Sequence, residues 1–105
     1  VMRVYIKEGF EYIPEWNGNR EVPEDEQIKV EFQFLSGADF SDVITADKKK
    51  QDFLEWKRMC KSITNLEAND VKITPDDVFN LPGLMELFIE LKATYRLETA
   101  IDKKK

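Results

Sequence analysis

Eight residues, Gln27 to Phe34, constrain this chain more than any other stretch. Ile28, Val30, Phe32 and Phe34 alternate with Gln27, Lys29, Glu31 and Gln33. A period of two puts all four apolar groups on one face of a strand, whereas a helix would scatter them around its circumference. The pattern is that of an antiparallel strand with one dry and one wet face. Upstream, Val4 and Ile6 alternate with Arg3, Tyr5 and Lys7, and Phe10 and Tyr12 continue the period past Gly9. Asn17-Gly18-Asn19 tolerates positive φ, so the chain can reverse there, and Val22-Pro23 before Glu24-Asp25-Glu26 makes a second polar connection. The two arms are expected to pair, across a connection too long for a two-residue hairpin.

A dry sheet face needs a cover, and the C-terminal two-thirds supplies helical patterns. Phe53, Trp56, Cys60 and Ile63 recur at spacings of three and four, widened by Met59, which predicts a helix over 52–63. Lys48, Lys49 and Lys50 oppose the helix dipole in a first turn, so regular helix is expected from near Gln51. Thr74-Pro75-Asp76-Asp77 reads as a helix start, with Thr74 as cap, Pro75 in the first position and Asp77 closing the reciprocal cap. That helix should stop around Asn80, because Leu81 precedes Pro82. A further helix from Pro82 to about Glu98 carries Leu84, Leu87, Phe88, Leu91 and Tyr95 as its inner stripe. Met85 and Ile89 fall about 100° or more around from Leu84 at 3.6 residues per turn. Burial under the strands and contact with another chain both remain open for them. Ser36 to Thr45 is also open: Ser36 with Asp39 suits a helix cap, while Val43, Ile44 and Thr45 favour extension. The expected fold class is α+β, a small N-terminal antiparallel sheet packed against C-terminal helices. Residues 1–105 are expected to form one domain, with a mobile tail from about Asp102 to Lys105.

Chemistry is scarce. There is no histidine, which removes the commonest general base and the commonest zinc ligand. One cysteine, Cys60, builds neither a disulfide nor a cysteine-rich zinc site, and its apolar neighbours make it a packed thiol suited to a reducing cytoplasm. None of the four glycines makes a phosphate-binding loop. Glu24-Asp25-Glu26 and Asp76-Asp77 lack the ligand spacing of a calcium loop and read as solvated surface or capping groups. The expectation is therefore no enzyme, no catalytic residue, no cofactor and no metal. A net charge of −5 opposes general nucleic-acid binding, and no apolar run approaches a membrane span. What remains is protein surface. Trp16, between Pro14 and the Asn-Gly-Asn turn, is either a lid on the sheet edge or a partner anchor. Trp16, Met85 and Ile89 are the candidate partner-binding residues.

Three stretches together resemble the small tail assembly chaperones encoded by tailed bacteriophages and prophages. They are "YIPEWNGNREVPEDEQIKVEFQFLS", "FLEWKRMCKSITNLEANDVKITPDDVFNLPGL" and "LMELFIELKATYRLETAIDKKK". The resemblance covers most of the chain in layout and rests on no catalytic motif. It implies a non-enzymatic protein of the bacterial host cytoplasm that holds the tape-measure protein, recruits tail-tube protein around it, and is absent from the finished virion. A homo-oligomer is compatible with it. The rival from another class is a head–tail connector or tail-completion protein retained in the particle. The resemblance further implies a longer, frameshifted product, with Lys103-Lys104-Lys105 as the place where a slippery adenine run would be encoded.

Overall fold

The alternating segment becomes β3 (Lys29–Gln33), the middle strand of a three-stranded antiparallel sheet. The computed structural model describes residues 1–98 and 101–103, the last three by backbone alone. On one side β3 pairs with β2 (Gly9–Tyr12), placing Phe10 opposite Phe32 and Tyr12 opposite Val30. On the other it pairs with β4 (Cys60–Thr64). Ile28, Val30 and Phe32 are buried, and Phe34, one residue beyond the strand, is half-buried against Phe10 and Tyr95. Gly9 is required by close approach: a Cβ there would lie 2.0 Å from the carbonyl oxygen of Phe32.

The path from β2 to β3 is held by one buried amide. Asn17 and Gly18 take positive φ (54° and 71°) inside a short 3-10 turn, Trp16–Glu21, and this turns the Asn19 side chain inward. Its Nδ2 donates to the carbonyls of Pro14 (2.9 Å) and Ile28 (3.1 Å), and its Oδ1 accepts the Ile28 N–H at 2.6 Å. The side chain thus serves Ile28 as a neighbouring strand would. Trp16 packs half-buried against the core, and the turn that carries it lies against α4 (Met85–Leu97).

The open segment 36–45 resolves as α1 (Gly37–Thr45) behind a capping box. Ser36 Oγ accepts the Asp39 N–H, and the Asp39 carboxylate accepts the Ser36 N–H. That backbone bond, followed by the Arg58 guanidinium at 2.7 Å, holds the Asp39 carboxyl below its ordinary value. α1 packs on α2 (Gln51–Met59), which begins where the lysine run, here a 3-10 turn, ends.

The helix expected over 52–63 is corrected at its C-terminal end: it stops at Met59, and Cys60 to Ile63 belong to β4. The register explains why the two look alike. Cys60 pairs with Phe32 and Ser62 with Glu31, leaving Lys61 as an extra residue. Across that bulge Cys60 and Ile63 both face inward although they are three residues apart, a spacing that imitates a helix turn. A small hairpin follows, β5 (Glu67–Ala68) with β6 (Val71–Lys72), turning on Asn69 and Asp70, both at positive φ. α3 (Pro75–Asn80) starts on the Thr74–Asp77 capping box with Pro75 in its first turn. Pro82–Leu84 form a 3-10 turn that leads into α4, so the expected single helix from Pro82 is regular only from Met85 to Leu97.

Two expectations for the termini change. Of the first arm, Gly9–Tyr12 pairs with β3 as expected, but β1 (Val4–Ile6) does not join that sheet; it pairs antiparallel with β7 (Ile101–Lys103), and the β1 side chains are exposed. Residues 102 and 103, assigned above to a mobile tail, therefore lie alongside β1, and residues 104 and 105 fall outside those described. The architecture is α+β, with Phe32 and Val30 of the sheet meeting Trp56, Met59, Leu87 and Leu91 of the helices in one core.

Two substitutions test this packing. Phe32→Ala should lower unfolding free energy by about 3–5 kcal/mol, read as a shift of the denaturant midpoint at constant slope. An unchanged midpoint would remove Phe32 from the core. Asn19→Ala, which adds no bulk but strips the partners from Ile28 and Pro14, should cost about 2–3 kcal/mol. A cost near zero would mean that water replaces the amide.

Candidate functional site

The break at Leu81 builds the site. Leu81 is extended (φ −87°, ψ 122°), as the residue before a proline tends to be, so the helical path stops at Asn80 and restarts after Pro82. This folds α3 back beside α4 and leaves a groove of about 610 Å³ between them. Its floor is aromatic. Phe79 meets Phe88 edge-on at 5.5 Å, and Phe88 meets the buried Trp56 at 4.8 Å. The Trp56 indole N–H donates to the Pro75 carbonyl at 2.6 Å, which ties α2 to the first turn of α3 and satisfies the buried ring. The upper edges carry Leu81, Met85 and Ile89, which are 41%, 59% and 58% exposed.

Two of the three candidate partner residues thus meet in one groove. Met85 and Ile89 lie a turn apart on its α4 edge, while Leu84 and Leu87 on the adjoining face are buried. Trp16 does not line this groove; it is half-buried where its 3-10 turn meets α4. That turn is fastened by Glu90, which accepts the Tyr12 hydroxyl at 2.7 Å and the Glu15 N–H at 2.8 Å. Phe79, Leu81 and Phe88 are not among the candidate partner-binding residues read from the sequence, which puts Phe88 in the inner stripe of the last helix and uses Leu81 only as a helix stop. Leu81 carried a readable signal, since an apolar residue stranded between a helix end and a proline has no stripe to join.

A second concavity, about 920 Å³, lies beside the sheet and includes Glu11, Glu31, Gln33 and Lys61. Glu11 and Glu31 face each other directly across β2 and β3, a like-charge pair that a strand face tolerates only in water. Among the described residues, no group of three or more His, Cys, Asp or Glu side chains is placed to hold a metal ion. No helix among them is long and apolar enough to cross a membrane. Cys60 is buried in β4, and burial pushes its thiol up to about 12. It stays protonated at neutral pH and is not an activated nucleophile.

Comparison with protein-family models, with curated proteins and with solved structures finds no match to this chain.

Cys60 gives a direct check on how β4 is packed into the core. An aromatic disulfide reagent at pH 8 should label the native protein more than about 100-fold more slowly than the unfolded chain, because both access and thiolate are withheld. Rapid labelling without denaturant would show that β4 opens locally and that the thiol is not held as described.

Proposed function

We propose that this chain is a non-enzymatic binding protein that holds a segment of a larger protein in the groove between α3 and α4. The exposure of Met85 and Ile89 above the Phe79–Phe88 floor is the observation that carries this reading. A domain that needed these two side chains for its own core would have turned them toward Leu87 and Leu91, which are fully buried one step around the same helix. Apolar groups left on the rim of an aromatic groove are what a helix-in-groove contact uses. The resemblance supplies the biological setting: tail assembly chaperone in the cytoplasm of a phage-bearing bacterium, with the tape-measure protein as the held partner and tail-tube protein as the subunit recruited. The chain's acidity is compatible with keeping an aggregation-prone partner dissolved. In this reading Trp16 contributes mainly as a lid over the core and only secondarily to association.

The experiment is co-expression with overlapping fragments of the tape-measure protein encoded nearby, followed by co-purification. The wild-type chain should retain a fragment, and the Met85→Glu/Ile89→Glu double variant should lose it while keeping its circular dichroism spectrum and denaturant midpoint. Retention by the variant removes the groove from the interface, and unfolding returns both residues to the core. Stoichiometric presence of the chain in purified particles would instead make it a structural component.

A further inference from the structure

The groove has a polarity along its length, and this bears on what it holds. Lys92 Nζ bonds Glu55 at 2.6 Å, and one turn further along α4 Arg96 shares the groove with Asp52, one turn earlier in α2, so the two helices run in opposite senses there. The first turn of α2 consequently lies beside the C-terminal half of α4, and Asp52 and Arg96 both line the groove. Met85 and Ile89 stand at the opposite, apolar end. Eleven residues separate Met85 from Arg96, about 16 Å along a helix, or three turns.

Charge is distributed unevenly over that length. Arg96 is exposed and, among the described residues, makes no salt bridge. Lys48, Lys49 and Lys50 form the exposed 3-10 turn that leads directly into α2 at the same end. Asp52 offsets one of these charges, and Glu55 already neutralises Lys92. Arg96 thus lines the groove, the Lys48–Lys50 turn precedes Asp52, which also lines it, and among the described residues none of these four cations makes a salt bridge. Set against Asp52 they leave a local excess of three positive charges toward one end of the groove in a chain of net charge −5.

We infer that the groove takes an amphipathic helix of about three turns whose apolar stripe is followed, at one end, by carboxylates that face Arg96 and the Lys48–Lys50 turn. The inference rests on the groove being a protein-binding surface, and it names the chemistry of the occupant. Apolar anchors spaced i, i+4 and i+7 would meet Leu81, Met85 and Ile89 over the aromatic floor. Acidic residues at the far end would add charge pairs on the rim, which act on encounter rate and orientation more than on final affinity. They also fix polarity, since a helix docked the other way round would leave its carboxylates over Met85.

The test uses the full chain and a displayed library of 18-residue helices, selected on the wild type and counter-selected on Met85→Glu/Ile89→Glu. The recovered helices should carry an apolar stripe and be enriched in Asp and Glu at one end only. Their binding should weaken about tenfold with Arg96→Glu or with Lys49→Glu/Lys50→Glu, and should weaken with added salt. Glutamate suits the start of α2, so the lysine variant should remain folded. Recovered helices that are neutral or basic at both ends, indifference to the charge variants, or recovery of no helix would each overturn the inference. So would self-association, seen by sedimentation and lost in the Met85→Glu/Ile89→Glu variant, because a second copy would then be the occupant. Loss of tape-measure binding in the apolar variant alone, with Arg96→Glu silent, would overturn this inference and leave the groove's function standing.

Discussion

Ile28 enters the sheet with no strand beside its own backbone, and the Asn19 side chain takes the place of one. A carboxamide can donate and accept at once, so it satisfies both the N–H and the carbonyl of Ile28, with a second donor hydrogen left for Pro14. That geometry needs the left-handed step at Asn17 and Gly18, which explains why a turn sequence stands so far ahead of the strand it serves. The consequence is registral. With Ile28 held, Val30 and Phe32 must face inward, and a slip of one residue would carry every one of these groups to the wet side. The helices then pack on a face whose position has already been set.

The second half of the molecule is tied to the first through rings and a few polar bonds. Tyr95 accepts the Leu35 N–H at 3.0 Å and sits among Phe10, Phe32 and Phe34, so the end of α4 closes over the far end of β3. Burial raises the Tyr95 hydroxyl, with the Leu35 bond acting the other way, so this contact stays protonated through the physiological range. Glu90 performs the corresponding task at the near end, on Tyr12 and Glu15. α4 is therefore clamped along one side to the sheet. Its opposite side, with Met85 and Ile89, faces the groove that α3 and the start of α2 border.

Legibility in the sequence followed how local each cause was. The capping box at Thr74–Asp77, the stop before Pro82 and the alternation of β3 depend on residues a few positions apart, and all appear as read. The 52–63 pattern misled for a physical reason: a bulge at Lys61 gives two inward residues the three-residue spacing of a helix, and only pairing with β3 reveals which is meant. The pairing of β1 with β7 spans nearly the whole chain, so nothing near Val4 foretold it. For the groove, the angular position of Met85 and Ile89 was visible, but not its outcome. Exposure was settled by the fold-back of α3, which buries its own Val78 and sets Phe79 against Phe88 yet leaves Met85 and Ile89 on the open edge of α4.

Magnitudes bear on the kind of association such a groove supports. Full burial of a Met or Ile side chain is worth about 1.5–3 kcal/mol, and these two retain 59% and 58% of their exposure, so docking gains about half of that from each. Leu81, at 41%, adds somewhat less. Against this stands the loss of translational and rotational freedom, about 4–15 kcal/mol. Three rim residues on this chain offset only the lower part of that range. Any firm complex must draw the remainder from the partner's own apolar stripe on the Phe79–Phe88 floor and from rim charges, and truncating any of the three rim residues should then be felt strongly. With only these rim residues engaged the contact would dissociate readily, which is compatible with the proposed holding role.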